Sequence, residues 1–294
     1  MEELFNKCEL CPRKCMVNRN IGEIGYCRAS NKMKIGGYHL HMWEEPCISG
    51  KNGSGTVFFS GCSLKCVFCQ NYAVSRSEKG RSVTADELVG IYFDLVRQGA
   101  HNINLVTPTH FAPVVTESVI KAKDGGIGVP FVWNSSGYET PEFFRNSAGI
   151  FDVFLPDFKY VSSEISRKYS VAGDYSEVAL NVLKAMREAQ PDDIFENGLM
   201  KKGMIVRHLV LPGCTDDSLD VLDEIKKNLG KSQLISIMSQ YTPFGKNLPD
   251  ELYRTVTREE YEKVTSYALL IGLKHGYFQE GSAAKESFIP DFDS

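Results

Sequence analysis

Cys62, Cys66 and Cys69 place three thiols within eight residues, on the stretch Gly61-Cys62-Ser63-Leu64-Lys65-Cys66-Val67-Phe68-Cys69-Gln70-Asn71-Tyr72. Thiolate sulfur is the soft ligand that iron–sulfur clusters require, and such clusters normally take four. A loop that supplies three leaves one iron for something else. Two other readings fit the same spacing. Positions i, i+4 and i+7 share a helix face and would make an apolar core stripe, and three thiols would also make a zinc site short of one ligand.

The elements that must hold this loop can be read around it. It follows a β-branched and aromatic run, residues 56–60, that reads as a buried strand, and Gly61 favours a loop over a helix. Further strands are expected at 102–106, 130–133, 153–155, 204–210 and 234–238, and helices at 84–97, 114–123, 178–188, 219–229 and 257–272. Thr84-Ala85-Asp86-Glu87 has the form of a capping box, with Leu88, Ile91, Leu95 and Val96 following on one face. Near-continuous apolar strands alternating with helices predict an α/β fold, a parallel sheet covered by helices. Six units are too few to close an eight-unit barrel, which leaves an open partial barrel or a doubly wound sheet. In either, chemistry collects where the strands end at their C-termini.

Just past those ends stand Thr107-Pro108-Thr109-His110, Asn134-Ser135-Ser136-Gly137, Asp157-Phe158-Lys159, Arg207-His208 and Gln240-Tyr241-Thr242. Turns between strands and helices are rich in such residues because they cap helices. Recurrence after five strands, with Lys and Arg among them, points instead to a polar mouth. An arginine there would suit a carboxylate, being permanently charged and able to grip it with two hydrogen bonds.

The Cys-x-x-x-Cys-x-x-Cys spacing, with Phe68 before the last cysteine, resembles the signature of the radical S-adenosylmethionine (radical SAM) enzymes. The longer match from Phe58-Phe59-Ser60-Gly61-Cys62 through Cys69-Gln70-Asn71 is similar to the pyruvate formate-lyase activating enzymes and their uncharacterised relatives. The resemblance implies the open (βα)6 partial TIM barrel and a [4Fe-4S] cluster on Cys62, Cys66 and Cys69. The fourth iron would bind the amino and carboxylate groups of S-adenosylmethionine. Reduction would then release a 5′-deoxyadenosyl radical that abstracts a hydrogen atom, chemistry carried by the cofactor and positioned by the protein. It also implies that Phe68 packs near the adenine, that Asn134 begins the counterpart of an Asp-Thr-Asn-Gly segment, that Asp157 and Lys159 form an Asp-x-Lys pair, and that Arg207 faces the carboxylate. The activating enzymes have a Gly-Gly-Glu segment for the amino group; here Thr107-Pro108-Thr109-His110 replaces it, and Thr107 or Thr109 is the expected substitute. Thr242 stands where those enzymes have histidine. Hydrogen abstraction needs no general acid or base, so no catalytic side chain is assigned. His110 is the histidine nearest the expected site.

Residues 1–50 form a small cysteine-rich N-terminal segment and 51–294 the expected catalytic domain. Cys8, Cys11, Cys15 and Cys27, with Gly22 and Gly25 where the backbone must turn, would suit a closed four-coordinate site on a segment too short to fold alone. Zinc, an auxiliary iron–sulfur cluster and plain thiols all remain open. Cys47 is a further ligand or a lone thiol, and His39 and His41 read as one face of a strand rather than as ligands. The run 50–55 is glycine-rich but lacks the Lys-Ser/Thr of a Walker A loop, and reads as a linker.

The whole chain, 294 residues with 43% apolar and 24% charged side chains, fits one barrel-sized α/β domain with a small appendage. Its net charge of -4, from 33 basic and 37 acidic residues without a long run of either, gives no footprint for nucleic acid. The start Met1-Glu2-Glu3-Leu4-Phe5 has no signal character, and no segment reaches ~18 uninterrupted apolar residues, so a cytoplasmic protein without membrane contact is expected. Nine cysteines, all but Cys214 in the first quarter, fit metal or redox chemistry in a reducing compartment. The expected partners are a protein or peptide substrate such as a glycyl-radical enzyme, and a flavodoxin- or ferredoxin-like electron donor. Radical modification of a small molecule or peptide is the second reading, and a non-enzymatic metal-binding or electron-relay module the third.

Overall fold

The computed structural model describes residues 3–76, 79–244 and 247–279; the first two residues of the leader and the stretch 280–294 lie outside it. Among the described residues ten strands form one sheet: β1 Lys34–His41, β2 Ser54–Phe59, β3 Arg81–Ser82, β4 Ile103–Val106, β5 Phe131–Ser135, β6 Val153–Pro156, β7 Ile194–Glu196, β8 Leu199–Leu209, β9 Leu234–Met238 and β10 Gly276–Phe278. Their order is β10, β9, β8, β6, β5, β4, β2, β1, β3, with β7 folded antiparallel onto β8. From β2 to β10 every neighbour in that order is parallel, while β1 and β3 are antiparallel additions beyond β2. Among the described residues no pairing joins β10 back to β2. This is the open partial barrel expected from the sequence, with β10 as an additional parallel strand.

The helices are α1 Glu3–Asn6, α2 Pro46–Ser49, α3 Tyr72–Ser75, α4 Ala85–Arg97 and α5 Ala112–Asp124 in the first half. In the second are α6 Pro141–Asn146, α7 Ser163–Ser170, α8 Tyr175–Ala189, α9 Thr215–Leu229 and α10 Arg258–Ile271. Helix α4 begins where its capping box says it should: Glu87 N donates to Thr84 Oγ1 at 3.2 Å and Thr84 N donates back to Glu87 Oε2 at 2.7 Å. Thr257 and Glu260 repeat the arrangement at α10. The apolar faces of these helices pack on strands such as Phe131-Val132-Trp133 and Ile205-Val206, which are buried on both faces, as a helix-covered parallel sheet requires. Among the described residues no helix is long and apolar enough to cross a membrane.

The leader is woven into this sheet. Ile35 pairs with Phe59 and His41 with Ser54, so β1 runs back along β2 from its C-terminal to its N-terminal end. The chain then crosses the barrel, where Cys47 and Ile48 are buried with Val132, Val153, Leu155 and Ile205. His39 and His41 lie on β1, as their spacing predicts; the His39 ring stacks on Phe58 at 5.3 Å. The glycine-rich run is a packed turn feeding β2: Gly53, Ser54 and Gly55 are buried, and Ser54 Oγ donates to Asn102 Oδ1 at 2.6 Å. A Cβ on Gly55 would stand 2.9 Å from that of Ala100, which is why a residue without one is needed there.

Candidate active site

Strand β2 ends at Phe59, and Gly61, with φ of 99°, turns the chain into the thiol loop. No helix runs through Cys62–Cys69, so the core-stripe reading is set aside. Backbone and hydroxyl groups meet each sulfur. Leu64 N donates to Cys62 Sγ at 3.4 Å, Ser170 Oγ lies 3.0 Å from Cys66 Sγ, and Cys69 Sγ donates to Ser75 Oγ at 3.4 Å. Burial, followed by the neighbouring thiols, pushes the Cys62 and Cys69 thiols up, while Lys159 opposes the shift. All nine cysteines are free.

The three cysteines share one cavity of about 240 Å³ with Phe68, Thr107, Asn134, Asp157, Lys159 and Arg207, the side chains picked out from the sequence. Gln240 and Tyr241, after β9, and Glu44 from the leader also line it. Phe68 is buried edge-on to the rings of Tyr241 and Tyr169, at 6.0 and 6.4 Å between centroids. Thr107 holds a φ of 57°, unusual for a β-branched residue, with its N–H donating to the Asn134 carbonyl at 2.8 Å. Thr109 turns away from the cavity: its hydroxyl donates to Glu139 Oε1 at 2.6 Å, in a buried group with Trp133 Nε1 and Ser135 Oγ. His110 lies behind the thiol loop, its Nε2 2.8 Å from the Ser60 carbonyl, and does not line the cavity.

The polar centre is a buried charge network. Lys159 Nζ meets Asp157 Oδ2 at 2.6 Å, and Arg207 Nε donates to Asp157 Oδ1 at 3.1 Å. Burial alone would push the Asp157 carboxyl up, but Lys159 and Arg207 together hold it below the usual carboxylate range. Arg207 is also gripped from below. Its Nη1 donates to Glu44 Oε2 at 3.0 Å and its Nη2 to Asn134 Oδ1 at 2.6 Å. Glu44 Oε1 in turn accepts from Asn104 at 2.9 Å and Asn134 at 3.3 Å. Burial would lower the Arg207 value, and Asp157 and Glu44 reverse that. No spacing in the sequence marks Glu44 as a site residue; its signal is the acidic pair Glu44-Glu45 inside an otherwise aromatic and apolar stretch.

These residues fit an iron–sulfur cluster: three soft donors on one loop, hydrogen-bonding groups at the sulfurs, a lysine whose charge acts on them, and space beside them. Among the described residues no three Cys, His, Asp or Glu side chains are gathered tightly enough to hold a single ion. A cubane asks something different, because each thiolate sits on its own iron.

Comparison with known proteins agrees. The radical SAM superfamily profile matches residues 56–225. An uncharacterised protein of Methanocaldococcus jannaschii is 31% identical over 283 residues, spanning 91% of this chain and 75% of its own length. The pyruvate formate-lyase-activating enzyme of Staphylococcus aureus is 24% identical over 196 residues, 63% of this chain and 72% of that one. Among solved structures, Streptococcus suis SuiB bound to precursor peptide SuiA has the same fold, with a TM-score of 0.51 at 14% identity over 75% of this chain and 46% of SuiB. The chain thus spans under half of that neighbour. It belongs to the radical SAM superfamily. The superfamily is one of enzymes that cleave S-adenosylmethionine at an iron–sulfur cluster, which weighs against a bare metal-binding module.

Proposed function

We propose that this enzyme acts on a protein or peptide, as an activase of a glycyl-radical enzyme, and draws its electron from a flavodoxin- or ferredoxin-like donor. The observation that carries the reading is that Cys62, Cys66 and Cys69 line one cavity with Asp157, Lys159 and Arg207. The cluster, when bound, supplies reductive cleavage of the sulfonium and a 5′-deoxyadenosyl radical. The chain supplies position. Cys62, Cys66 and Cys69 hold the metal, and Phe68 offers an apolar wall for the adenine. Among the described residues the Lys159 ammonium donates to Asp157 alone, which leaves protons to meet the methionine carboxylate, the task the resemblance implied for Arg207. Arg207, held by two carboxylates and Asn134, fixes Asp157 and so aims Lys159. Thr107 and Asn134 remain for the amino group.

The activase reading draws support from the Staphylococcus aureus relative, and peptide substrates from SuiB. The Glu44 carboxylate on the cavity wall favours a second reading, in which a small molecule or modified peptide reaches into the barrel. Anaerobically reconstituted enzyme given dithionite and S-adenosylmethionine should yield 5′-deoxyadenosine, and Cys66→Ala should yield none; equal yields would end both readings. Incubation with candidate glycyl-radical proteins separates them. A protein radical in the electron paramagnetic resonance spectrum supports the activase, and silence across candidates supports the second reading.

A further inference from the structure

Residues 3–30 carry little regular structure, yet Cys8, Cys11 and Cys27 are buried and Cys15 half-buried among them. The backbone closes on itself between these thiols. Met16 N donates to the Cys8 carbonyl, Cys8 N to the Val17 carbonyl and Lys14 N to the Cys11 carbonyl, each at 3.0 Å. A Cβ on Gly25 would stand 3.0 Å from the Cys15 sulfur, so the second arm of the leader lies directly against the first. Lys14, Met16 and Arg28 all hold positive φ, of 39°, 59° and 60°, a conformation that persists in such residues only where the surroundings impose it. Two of the sulfurs are met by N–H groups: Arg19 Nη1 approaches Cys8 Sγ at 3.9 Å and Tyr26 N donates to Cys15 Sγ at 3.2 Å.

Arg19 is a second and independent observation. It is 0% exposed, yet its partners are the carbonyls of Ser30 and His110, the Cys8 sulfur, and the rings of Phe5 and Phe111 at 4.4 and 5.4 Å. Among the described residues it meets no carboxylate. A buried guanidinium without an anion is strongly unfavourable, and four neutral thiols do not relieve it. Four thiolates around a divalent ion would, since they carry two net negative charges; a four-thiolate cluster also carries negative charge.

We propose that Cys8, Cys11, Cys15 and Cys27 bind a soft-metal centre as four thiolates, with Arg19 as its counter-ion, and that this centre clamps the leader to the radical-site loop. Binding releases the four thiol protons and needs no change of oxidation state at sulfur. The clamp is visible in two contacts. The Cys27 carbonyl lies 2.6 Å from where a Cβ on Gly61 would stand, and Arg13 Nε donates to the Ser63 carbonyl at 2.9 Å. Both contacts fall beside Cys62. In the free-thiol state no three of the sulfurs stand at single-ion spacing, so the occupant either draws the ring closed, as zinc would, or spans it, as a cluster would.

The test uses the full chain carrying Cys62→Ala, Cys66→Ala and Cys69→Ala, produced with iron and zinc supplied and purified anaerobically. It should retain either about one zinc or about four irons with matching sulfide. Adding Cys15→Ser should lower that content at least several-fold, and adding Cys47→Ser should not. In the unsubstituted chain the matching result is about eight irons, or about four irons and one zinc. A folded triple variant without stoichiometric metal, or an unsubstituted chain with four irons and nothing else, overturns the proposal. The readout is metal content, so it stands or falls separately from the proposed activity.

Discussion

Glu44 Oε2 accepts a hydrogen bond from Arg207 Nη1 at 3.0 Å across 163 positions of sequence, and both side chains are nearly buried, at 11% and 12% exposure. The contact ties the leader to the barrel strand β8 at the centre of the cavity. Its strength is measurable as a coupling. Glu44→Ala and Arg207→Met should each destabilise the protein, and the double variant should be less damaged than the sum of the two by about 1–3 kcal/mol, because each single substitution leaves the other buried charge short of a partner and the second removes that charge. Urea unfolding of the four proteins supplies the cycle. Additivity within about 0.5 kcal/mol would show that Glu44 merely lies near Arg207.

Lys159 is placed differently from Arg207, and the two should fail differently. One Lys159 proton is used by Asp157, and its side chain is 15% exposed at the cavity. A charge-assisted hydrogen bond is worth about 1.5–3 kcal/mol, so Lys159→Met should raise KM for S-adenosylmethionine by roughly 10- to 100-fold. Iron content should not change, since no cluster bond is lost. An unchanged KM would remove Lys159 from cofactor binding and leave it as a partner of Asp157.

The contrast between these two residues shows what could be read from the chain alone. Lys159 is legible because it comes three residues after the apolar strand β6, and Arg207 because it interrupts the apolar run of β8 near its C-terminal end, where strands of a parallel sheet converge. Helices α4 and α10 were legible because Thr84 with Glu87 and Thr257 with Glu260 carry the capping geometry in four residues. Glu44 was not, since its place depends on β1 pairing antiparallel with β2 and delivering the chain across the barrel, a relationship between distant segments. The short elements escaped for a related reason: Pro141–Asn146 and Gly276–Phe278 are too brief for a period to register. Thr109 was misdirected because a 3-10 turn at Thr109–Phe111 swings its side chain toward Glu139, whose buried carboxylate no local pattern announces.

Ser170 stands 3.0 Å from Cys66 Sγ and 3.0 Å from the Tyr160 hydroxyl, at the C-terminal end of α7. A hydroxyl donated to a cluster sulfur favours the reduced, more negative state. Ser170→Ala should therefore make the cluster harder to reduce, shifting its midpoint to more negative potential in an anaerobic titration followed by electron paramagnetic resonance. The rate of 5′-deoxyadenosine formation should fall about 10-fold. Cys66 itself remains, so iron content should hold. A lower rate with an unmoved potential would mean that Ser170 supports packing rather than the sulfur.

Acid stability should depend on two histidines outside the cavity lining. His208 Nδ1 lies 2.8 Å from the Phe158 carbonyl and Nε2 2.9 Å from Ser218 Oγ, and His110 packs behind the thiol loop. Burial lowers both from 6.5 to about 4. The unfolded chain therefore binds these protons near pH 6.5 while the native state refuses them, so their stabilisation is whole above pH 6.5 and is lost as the pH falls toward 4. The loss approaches about 1.4 kcal/mol per pH unit for each. Burial raises the carboxyls of Glu45, Glu139 and Asp217, which act with the opposite sign over acid pH, so the net slope alone does not isolate the histidines. A difference does. His208→Gln should flatten the dependence of unfolding free energy on pH between 6.5 and 4 by about 1.4 kcal/mol per unit relative to the unsubstituted chain. Parallel curves would mean that His208 charges as readily in the native state as in the unfolded one.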